Sequence, residues 1–158
     1  MLNCYSDEIA ANKFNTDNCN DTFLYSTVAQ MADTVALWQW GYETKQYVRM
    51  TIMLNDSGEK IGTIEMFNKG TAMHYGVIGV LRIDIMNPYE TKDVLHSIFD
   101  LAHTHFYRSF GVEWIFTKLT ETAKLRTEVA NDLGYVHADN YHLEHYYGRH
   151  IARNYINE

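Results

Sequence analysis

The sequence predicts a single α+β domain in which a mixed sheet carries helices on both faces. Three strand-like segments follow one another over residues 47–54, 61–67 and 75–86. Beyond them, helix-like and strand-like segments alternate as far as residue 147. Strands joined by tight turns pair antiparallel, whereas a helical crossover sets neighbouring strands parallel. The order of the segments therefore predicts a sheet of both kinds, within one domain covering residues 1–158.

The segments before the first strand are predicted to be helical. Residues 1–20 are polar and irregular, with a short helix expected over residues 6–14. A longer helix is expected over residues 28–42, because its apolar residues recur mostly at three- and four-residue steps. Ser26 or Thr27 is placed to cap its N-terminus.

The remaining boundaries follow from turn residues and from a change of apolar period. The helix after the third strand has one apolar stripe and should end before Gly111. Gly134 is well placed as the left-handed cap of the following helix. In chain order we expect a turn at 55–58, a break at 68–70, a strand at 114–118, a helix at 120–133, and one or two closing strands from Val136 to Tyr147.

Composition excludes several classes of protein. The formal net charge of -7 argues against general nucleic-acid binding, which needs a basic face. Neither a long apolar run nor a signal-peptide pattern is present, so we expect no membrane span and no secretion. Cys4 and Cys19 form no metal motif and are too few for a disulfide framework, which favours a reduced, cytoplasmic setting. A binding partner that is an amine or another cation suits the charge better.

Several stretches resemble one protein family when they are taken together. They are Ser6-Asp-Glu8 through Lys13-Phe14, the helix ending near Trp40, the hairpin Asp56-Ser-Gly-Glu-Lys-Ile-Gly-Thr-Ile64, and the step Leu133-Gly-Tyr135. In this order they resemble the GNAT superfamily of acyl-CoA-dependent N-acetyltransferases, nearest the branch of ribosomal-protein N-terminal acetyltransferases. The resemblance covers most of the chain and implies the acyl-CoA N-acyltransferase (GNAT) fold. Either residues 1–5 stand in for the family's first strand, or that strand is absent.

The resemblance implies a cofactor, acetyl-CoA, and a place for it. In the family, two neighbouring strands splay apart and expose backbone N–H groups, one of which polarises the thioester carbonyl. The pyrophosphate lies at the N-terminus of the helix that follows. Carried over to this chain, the cofactor-binding positions are Ile85 and Met86 on the strand, and Lys92, Asp93, Val94, Leu95 and His96 on the helix.

The chain departs from the family pattern at this turn. The basic or amide residue of the family's pyrophosphate loop falls on Glu90, and its two small residues fall on Asp93 and Leu95. The tyrosine that many members use to protonate the leaving thiolate falls on Ala130, and an asparagine at the helix start falls on Ala123. A carboxylate at a helix start can itself satisfy the free N–H groups. Glu90 and Asp93 are therefore alternatively interpreted as structural caps, with no phosphate bound.

Two carboxylates on the strands are the candidate general bases. Alternation along each strand places charged side chains of both signs on shared faces. Glu65 or Asp84 could then accept a proton from an amine, directly or through water. The alternative is a structural cross-strand ion pair such as Glu65 with Arg82. The residues that should share a face within each strand are Arg49 and Thr51, Thr63 and Glu65, and Arg82 and Asp84.

Three functional hypotheses remain after the other patterns are weighed. The histidine spacing completes no metal site, and neither cysteine lies in a nucleophile motif. The leading hypothesis is an N-acetyltransferase that uses acetyl-CoA and a primary amine. The second is a GNAT-fold binding or regulatory protein that has lost CoA binding. The third is a homodimer whose interface would contain Trp38, Trp40, Tyr141, Tyr146 and Tyr147.

Overall fold

A computed structural model describes residues 26–72, 74–138 and 146–151. The short helix expected over residues 6–14, the first strand, both cysteines and Tyr141 lie outside these ranges. The described residues form three helices, one short 3₁₀ turn and six strands. In chain order these are α1 (Val28–Glu43), β1 (Tyr47–Met53), β2 (Lys60–Ala72), β3 (Gly76–Ile85), the 3₁₀ turn (Asn87–Tyr89), α2 (Lys92–Phe110), β4 (Trp114–Lys118), α3 (Lys124–Asp132), β5 (Val136–His137) and β6 (Tyr146–His150).

The strands form one mixed sheet in the order β1-β2-β3-β4-β6-β5. The first three strands are an antiparallel meander, and β6 is antiparallel to both β4 and β5. Strands β3 and β4 are parallel, as the helical crossover through α2 requires. The predicted α+β fold with a mixed sheet is therefore confirmed.

Several boundaries differ from the sequence-based expectation for local reasons. Strand β2 does not stop at Phe67, because a bulge between Asn68 and Gly70 absorbs the turn-forming residues and pairing continues to Ala72. Helix α3 begins at Lys124 instead of residue 120, because residues 121–122 form a turn before it.

Local capping determines where the two longer helices begin and end. Thr27 forms a reciprocal capping box with Gln30 at the start of α1, which selects Thr27 over Ser26 as the cap. Gly111 follows α2 with φ 61°, a left-handed conformation that glycine adopts without a steric penalty.

The two faces of the sheet carry different side chains. Leu81, Ile83 and Ile85 of β3 belong to the main core, together with buried residues of α2 and α3. The intervening β3 residues project to the other face, where Trp38 of α1 lies over the guanidinium of Arg49, 4.9 Å from the ring centroid. Helices therefore cover both faces, α2 and α3 on one and α1 on the other. Within the described residues, no helix has the length and apolarity needed to cross a membrane.

Candidate active site

The pairing of β3 with β4 stops before β3 ends. Their parallel pairing covers Ile78–Leu81 of β3 and Trp114–Thr117 of β4. Strand β3 continues for four more residues, to Ile85, and α2 begins at Lys92 beyond a short turn. The last residues of β3 therefore have no strand partner on the β4 side among the described residues, and this unpaired edge, called the gap below, lies immediately before a helix N-terminus.

The backbone groups of Ile83 and Ile85 face this gap. Met86 donates its N–H away from the gap, to the carbonyl of Ile61 at 2.8 Å. Backbone polar groups alternate in direction along a strand, so Ile83 and Ile85 direct theirs to the opposite side. The N–H of Met86 is therefore not available to a ligand in the gap, contrary to the expectation that Met86 presents this group to a cofactor. The position of Ile85 suits its predicted role.

The side chain of Arg126 occupies part of the gap. Arg126 projects from α3 and donates from Nη1 to the carbonyl oxygen of Ile83 at 2.5 Å. Its Nε donates to Glu90 Oε1 at 2.8 Å, and the whole residue is 3% exposed. The remaining nitrogen, Nη2, is buried and has no hydrogen-bond partner among the described residues. A buried guanidinium therefore stands in for the missing strand partner of Ile83.

Sequence reasoning missed Arg126. Its signal was available, because Arg126, Val129 and Ala130 recur at three- and four-residue steps and are all buried on one side of α3. The sequence alone did not single it out, because an arginine is by default expected at the surface.

The N-terminus of α2 is capped by a residue that the sequence analysis did not single out. Thr91 accepts the N–H of Val94 on its Oγ1 at 3.4 Å, and its carbonyl accepts the N–H of Leu95 at 3.0 Å. The expectation that carboxylates of Glu90 and Asp93 cap this helix is therefore wrong. Glu90 pairs with a side chain of α3 instead, and Asp93 is an exposed residue of the first helical turn.

The five helix positions predicted to hold phosphate differ in what they can offer. The N–H groups of Val94 and Leu95 are already used, and the Leu95 side chain is fully buried in the core. The N–H groups of Lys92 and Asp93 have no acceptor within the described residues, as expected for the first positions of a helix. His96 is half-buried further along α2. Two free N–H groups therefore remain at this helix start.

The ammonium of Lys92 is bound to α3. It lies 2.7 Å from Asp132 Oδ2 and 2.9 Å from Glu128 Oε1, with all three side chains about half exposed. The hydrogen bond to Asp132, followed by the one to Glu128, raises the pKa of Lys92 above its usual value. The same hydrogen bond lowers the pKa of Asp132, and the charge of His96 contributes to that shift. These ion pairs hold α2 and α3 together beside the gap.

The two predicted catalytic carboxylates lie in a buried network of charges on the α1 face of the sheet. Register places Arg49, Glu65 and Arg82 directly opposite one another on β1, β2 and β3. Glu65 contacts Arg49 and lies 3.5 Å from Arg82 Nη1, while Asp84 Oδ2 lies 3.2 Å from Arg82 Nε. These four side chains are each at most 7% exposed. The predicted rows of charge therefore align, and the cross-strand ion pair of Glu65 with Arg82 is present.

Two neighbouring residues, Thr63 and Tyr47, also interact with this buried network. Arg49 also donates from Nη2 to Thr63 Oγ1 at 3.2 Å. Burial, and next the negative charge of Glu65, raise the pKa of the Tyr47 phenol far above its usual range. Opposite charges held this close favour the ionised form of each carboxylate. The catalytic role of Glu65 and Asp84 remains a prediction.

Two cavities lie away from this site, between β1 and α2. Their volumes are about 540 and 440 Å³, and both are lined by Met50, His105 and Phe106. Neither Glu65 nor Asp84 contributes to either lining. The backbone donors and buried carboxylates described above lie at the end of β3, outside both cavities.

The residues of the predicted subunit interface differ in exposure. Trp40 is 58% exposed on α1, and Leu37 and Tyr42 on the same helix are similarly exposed. Trp38 instead packs on Arg49, and Tyr146 and Tyr147 are half-buried in β6. Self-association through Trp40 stays a prediction.

Comparison with solved structures identifies the fold of this chain. The sequence matches no family profile and no curated protein. Among solved structures, the chain is similar to RimJ from Mycobacterium smegmatis in complex with CoA-disulfide, with a TM-score of 0.70 and 9% identity over 99% of this chain and 79% of that one. It is similar to the ribosomal-protein-S5-alanine acetyltransferase of Vibrio fischeri, with a TM-score of 0.65 and 11% identity over 94% and 87% of the two chains. A third is the spermidine N-acetyltransferase of Vibrio cholerae in complex with CoA and spermine, with a TM-score of 0.60 and 11% identity over 87% and 73%. The chain therefore has the fold of the GNAT acetyltransferases.

Proposed function

We propose that this protein is an N-acetyltransferase of the GNAT type that uses acetyl-CoA and a primary amine. The observation that supports this most directly is the gap beside Ile83 and Ile85, which leads straight to the N-terminus of α2. Backbone donors along a strand edge, followed by unpaired N–H groups at a helix start, suit a ligand with an amide-containing arm and a phosphate end.

Acetyl-CoA fits the groups that remain free at both ends of this path. The N–H of Ile85 faces the gap and would polarise the thioester carbonyl. The N–H groups of Lys92 and Asp93 would receive a phosphate oxygen at the positive end of the α2 dipole. The cofactor supplies the acetyl group as a thioester. The chain supplies alignment, a hydrogen bond to the carbonyl and removal of a proton from the amine.

Asp84 is the better placed of the two candidate bases. It lies on β3 between Ile83 and Ile85, whereas Glu65 lies one strand further from the gap. Its side chain points to the α1 face, so an amine approaching from that face would meet it while the cofactor lies along the strand edge. Arg82 Nε lies 3.2 Å from Asp84 Oδ2 and holds in place the carboxylate that would accept the proton, directly or through water.

The acceptor is proposed only at the level of an amine. The proteins compared differ in their acceptors, since one is a ribosomal-protein-S5-alanine acetyltransferase and another is a spermidine N-acetyltransferase. The net charge of -7 suits an acceptor that arrives as a cation. We further propose that the protein works in the cytoplasm.

Calorimetric titration with acetyl-CoA and with CoA tests the proposal. We expect saturable heat and an upward shift of the melting temperature, because a ligand that binds only the folded state stabilises it. If millimolar acetyl-CoA gives neither heat nor a thermal shift, the acetyltransferase proposal is rejected.

A binding or regulatory role without CoA is the second candidate. It is supported by Arg126 in the gap and by Leu95, whose buried side chain stands where the family pattern has a small residue. The two candidates differ in one measurable respect. A protein that binds no CoA but retains a folded gap supports this second role, and acetylation of any amine in the presence of acetyl-CoA contradicts it.

A further inference from the structure

The position of Arg126 across the gap has a consequence for ligand access. We propose that Arg126 is a displaceable closure of the cofactor path, held by Glu90, which must leave Ile83 before an amide-containing arm can bind along β3. The inference rests on the proposed function, since it assigns a regulation of that same site.

Arg126 and such an arm require the same backbone acceptor. An extended ligand that adds to the edge of a sheet donates its amide N–H groups to main-chain carbonyls. The carbonyl of Ile83 is directed into the gap and already accepts from Arg126 Nη1 at 2.5 Å. Because Arg126 is 3% exposed and fills the space beside this carbonyl, an arm cannot lie there while the guanidinium remains.

The contacts of Arg126 make displacement feasible. Its second anchor, Glu90, has a side chain that is 20% exposed, so the ion pair borders solvent. Its Nη2 is buried with no partner in the described part of the chain, which leaves the guanidinium incompletely satisfied where it lies. Movement of Arg126 outward would restore water to that nitrogen. An arginine stem can make this movement by rotating its side chain, without a change in the backbone of α3.

If Arg126 closes the path, it should oppose the binding of only those ligands that carry the amide-containing arm. Pantetheine and CoA carry the amide-containing arm and must displace Arg126. Adenosine bisphosphate, the nucleotide half of CoA, lacks the arm and need reach only the start of α2. Arg126 should therefore weaken binding of the first two ligands and leave binding of the third unchanged.

Calorimetric titration of these three ligands against four forms of the protein tests the proposal. The forms are the unaltered chain, Arg126→Ala, Glu90→Gln and Lys124→Ala, the last removing an exposed positive charge from the same helix as a matched control. We expect Arg126→Ala to bind CoA and pantetheine about tenfold or more tightly, the scale of one hydrogen bond to a charged group. Adenosine bisphosphate should bind Arg126→Ala and Lys124→Ala as it binds the unaltered chain. Glu90→Gln removes a negative charge beside the start of α2, so for that form the gain is measured on pantetheine, which carries no phosphate.

The remaining outcomes separate this inference from the proposed function. If CoA binds the unaltered chain and binds Arg126→Ala equally or more weakly, the closure is refuted while the acetyltransferase proposal stands. If no form binds CoA, both fail. Should Arg126→Ala not fold, Glu90→Gln decides instead, because it keeps the arginine and releases its anchor. Tighter pantetheine binding supports the closure, and unchanged or weaker pantetheine binding refutes it.

Discussion

The substitution Glu65→Gln tests whether the charge network stabilises the fold. Glutamine has nearly the same shape as glutamate, so the change removes charge without opening a cavity. Arg49 and Arg82 would each lose a carboxylate that they now contact, in a site where all the side chains are at most 7% exposed. The buried positive charge would then be incompletely compensated.

The expected loss follows from the burial of this network. Removal of one partner from a buried ion pair costs about 3–5 kcal/mol. For a chain of this length, each kcal/mol lowers the melting temperature by about 2–4 °C. Glu65→Gln should therefore lower the melting temperature by roughly 6–20 °C. Asp84, which still pairs with Arg82, would keep the loss toward the lower end of that range.

Thermal and urea unfolding followed by circular dichroism measure this effect. Glu128→Gln is the matched control, since its ion pair with Lys92 is about half exposed and is screened by water. A second arm combines Glu65→Gln with Arg49→Met, which removes the uncompensated charge and should recover part of the stability. The reasoning is refuted if Glu65→Gln lowers the melting temperature no more than the control does. It is also refuted if the double variant loses as much stability as the two single substitutions together.

Three further predictions concern single residues. Burial lowers the pKa of His103 to about 4, so the unfolded chain gains a proton from about pH 6.5 downward while the folded chain does not. Stability should therefore fall between pH 6.5 and 4, measured by urea unfolding, and less steeply in His103→Phe than in the exposed control His105→Gln. Leu95→Ala should lower the free energy of unfolding, measured in urea, by about 2–5 kcal/mol, because the side chain is fully buried. A loss below about 1 kcal/mol would contradict that burial. Gly62→Ala should lower the melting temperature, because the added Cβ would lie 2.7 Å from the Cα of Ile85, and an unchanged melting point would contradict that close packing.

Most of the fold could be predicted because its signals are local. The strand over residues 114–118 was predicted with its observed bounds, since a short apolar run lies between a helix cap and a turn. The helix that ends before Gly111 was equally clear, because glycine adopts the left-handed conformation that follows it. Strand β2 was predicted too short, since a bulge depends on the neighbouring strand and leaves turn-like residues in the sequence.

The candidate site was predictable only in part. Alternation correctly predicted the residues that share a face within each strand, namely Arg49 with Thr51, Thr63 with Glu65, and Arg82 with Asp84, because side chains in a strand project to alternate sides. Their mutual contacts also required the register between strands. The direction of the Met86 N–H depended on its pairing with Ile61, which no local pattern reveals.

The sequence by itself determined the elements, their order, and the presence of carboxylates on strands beside a helix start. These features depend on residues close together in the chain. Only the tertiary structure decided what the helix start and the gap contain, because Glu90 and Arg126 are 36 residues apart and meet only when α3 packs against the end of β3. A cap of α2 was one of the two alternative interpretations of Glu90. Instead Thr91 caps that helix, and Glu90 anchors an arginine, because the buried guanidinium needs a charged partner more than an already capped helix does.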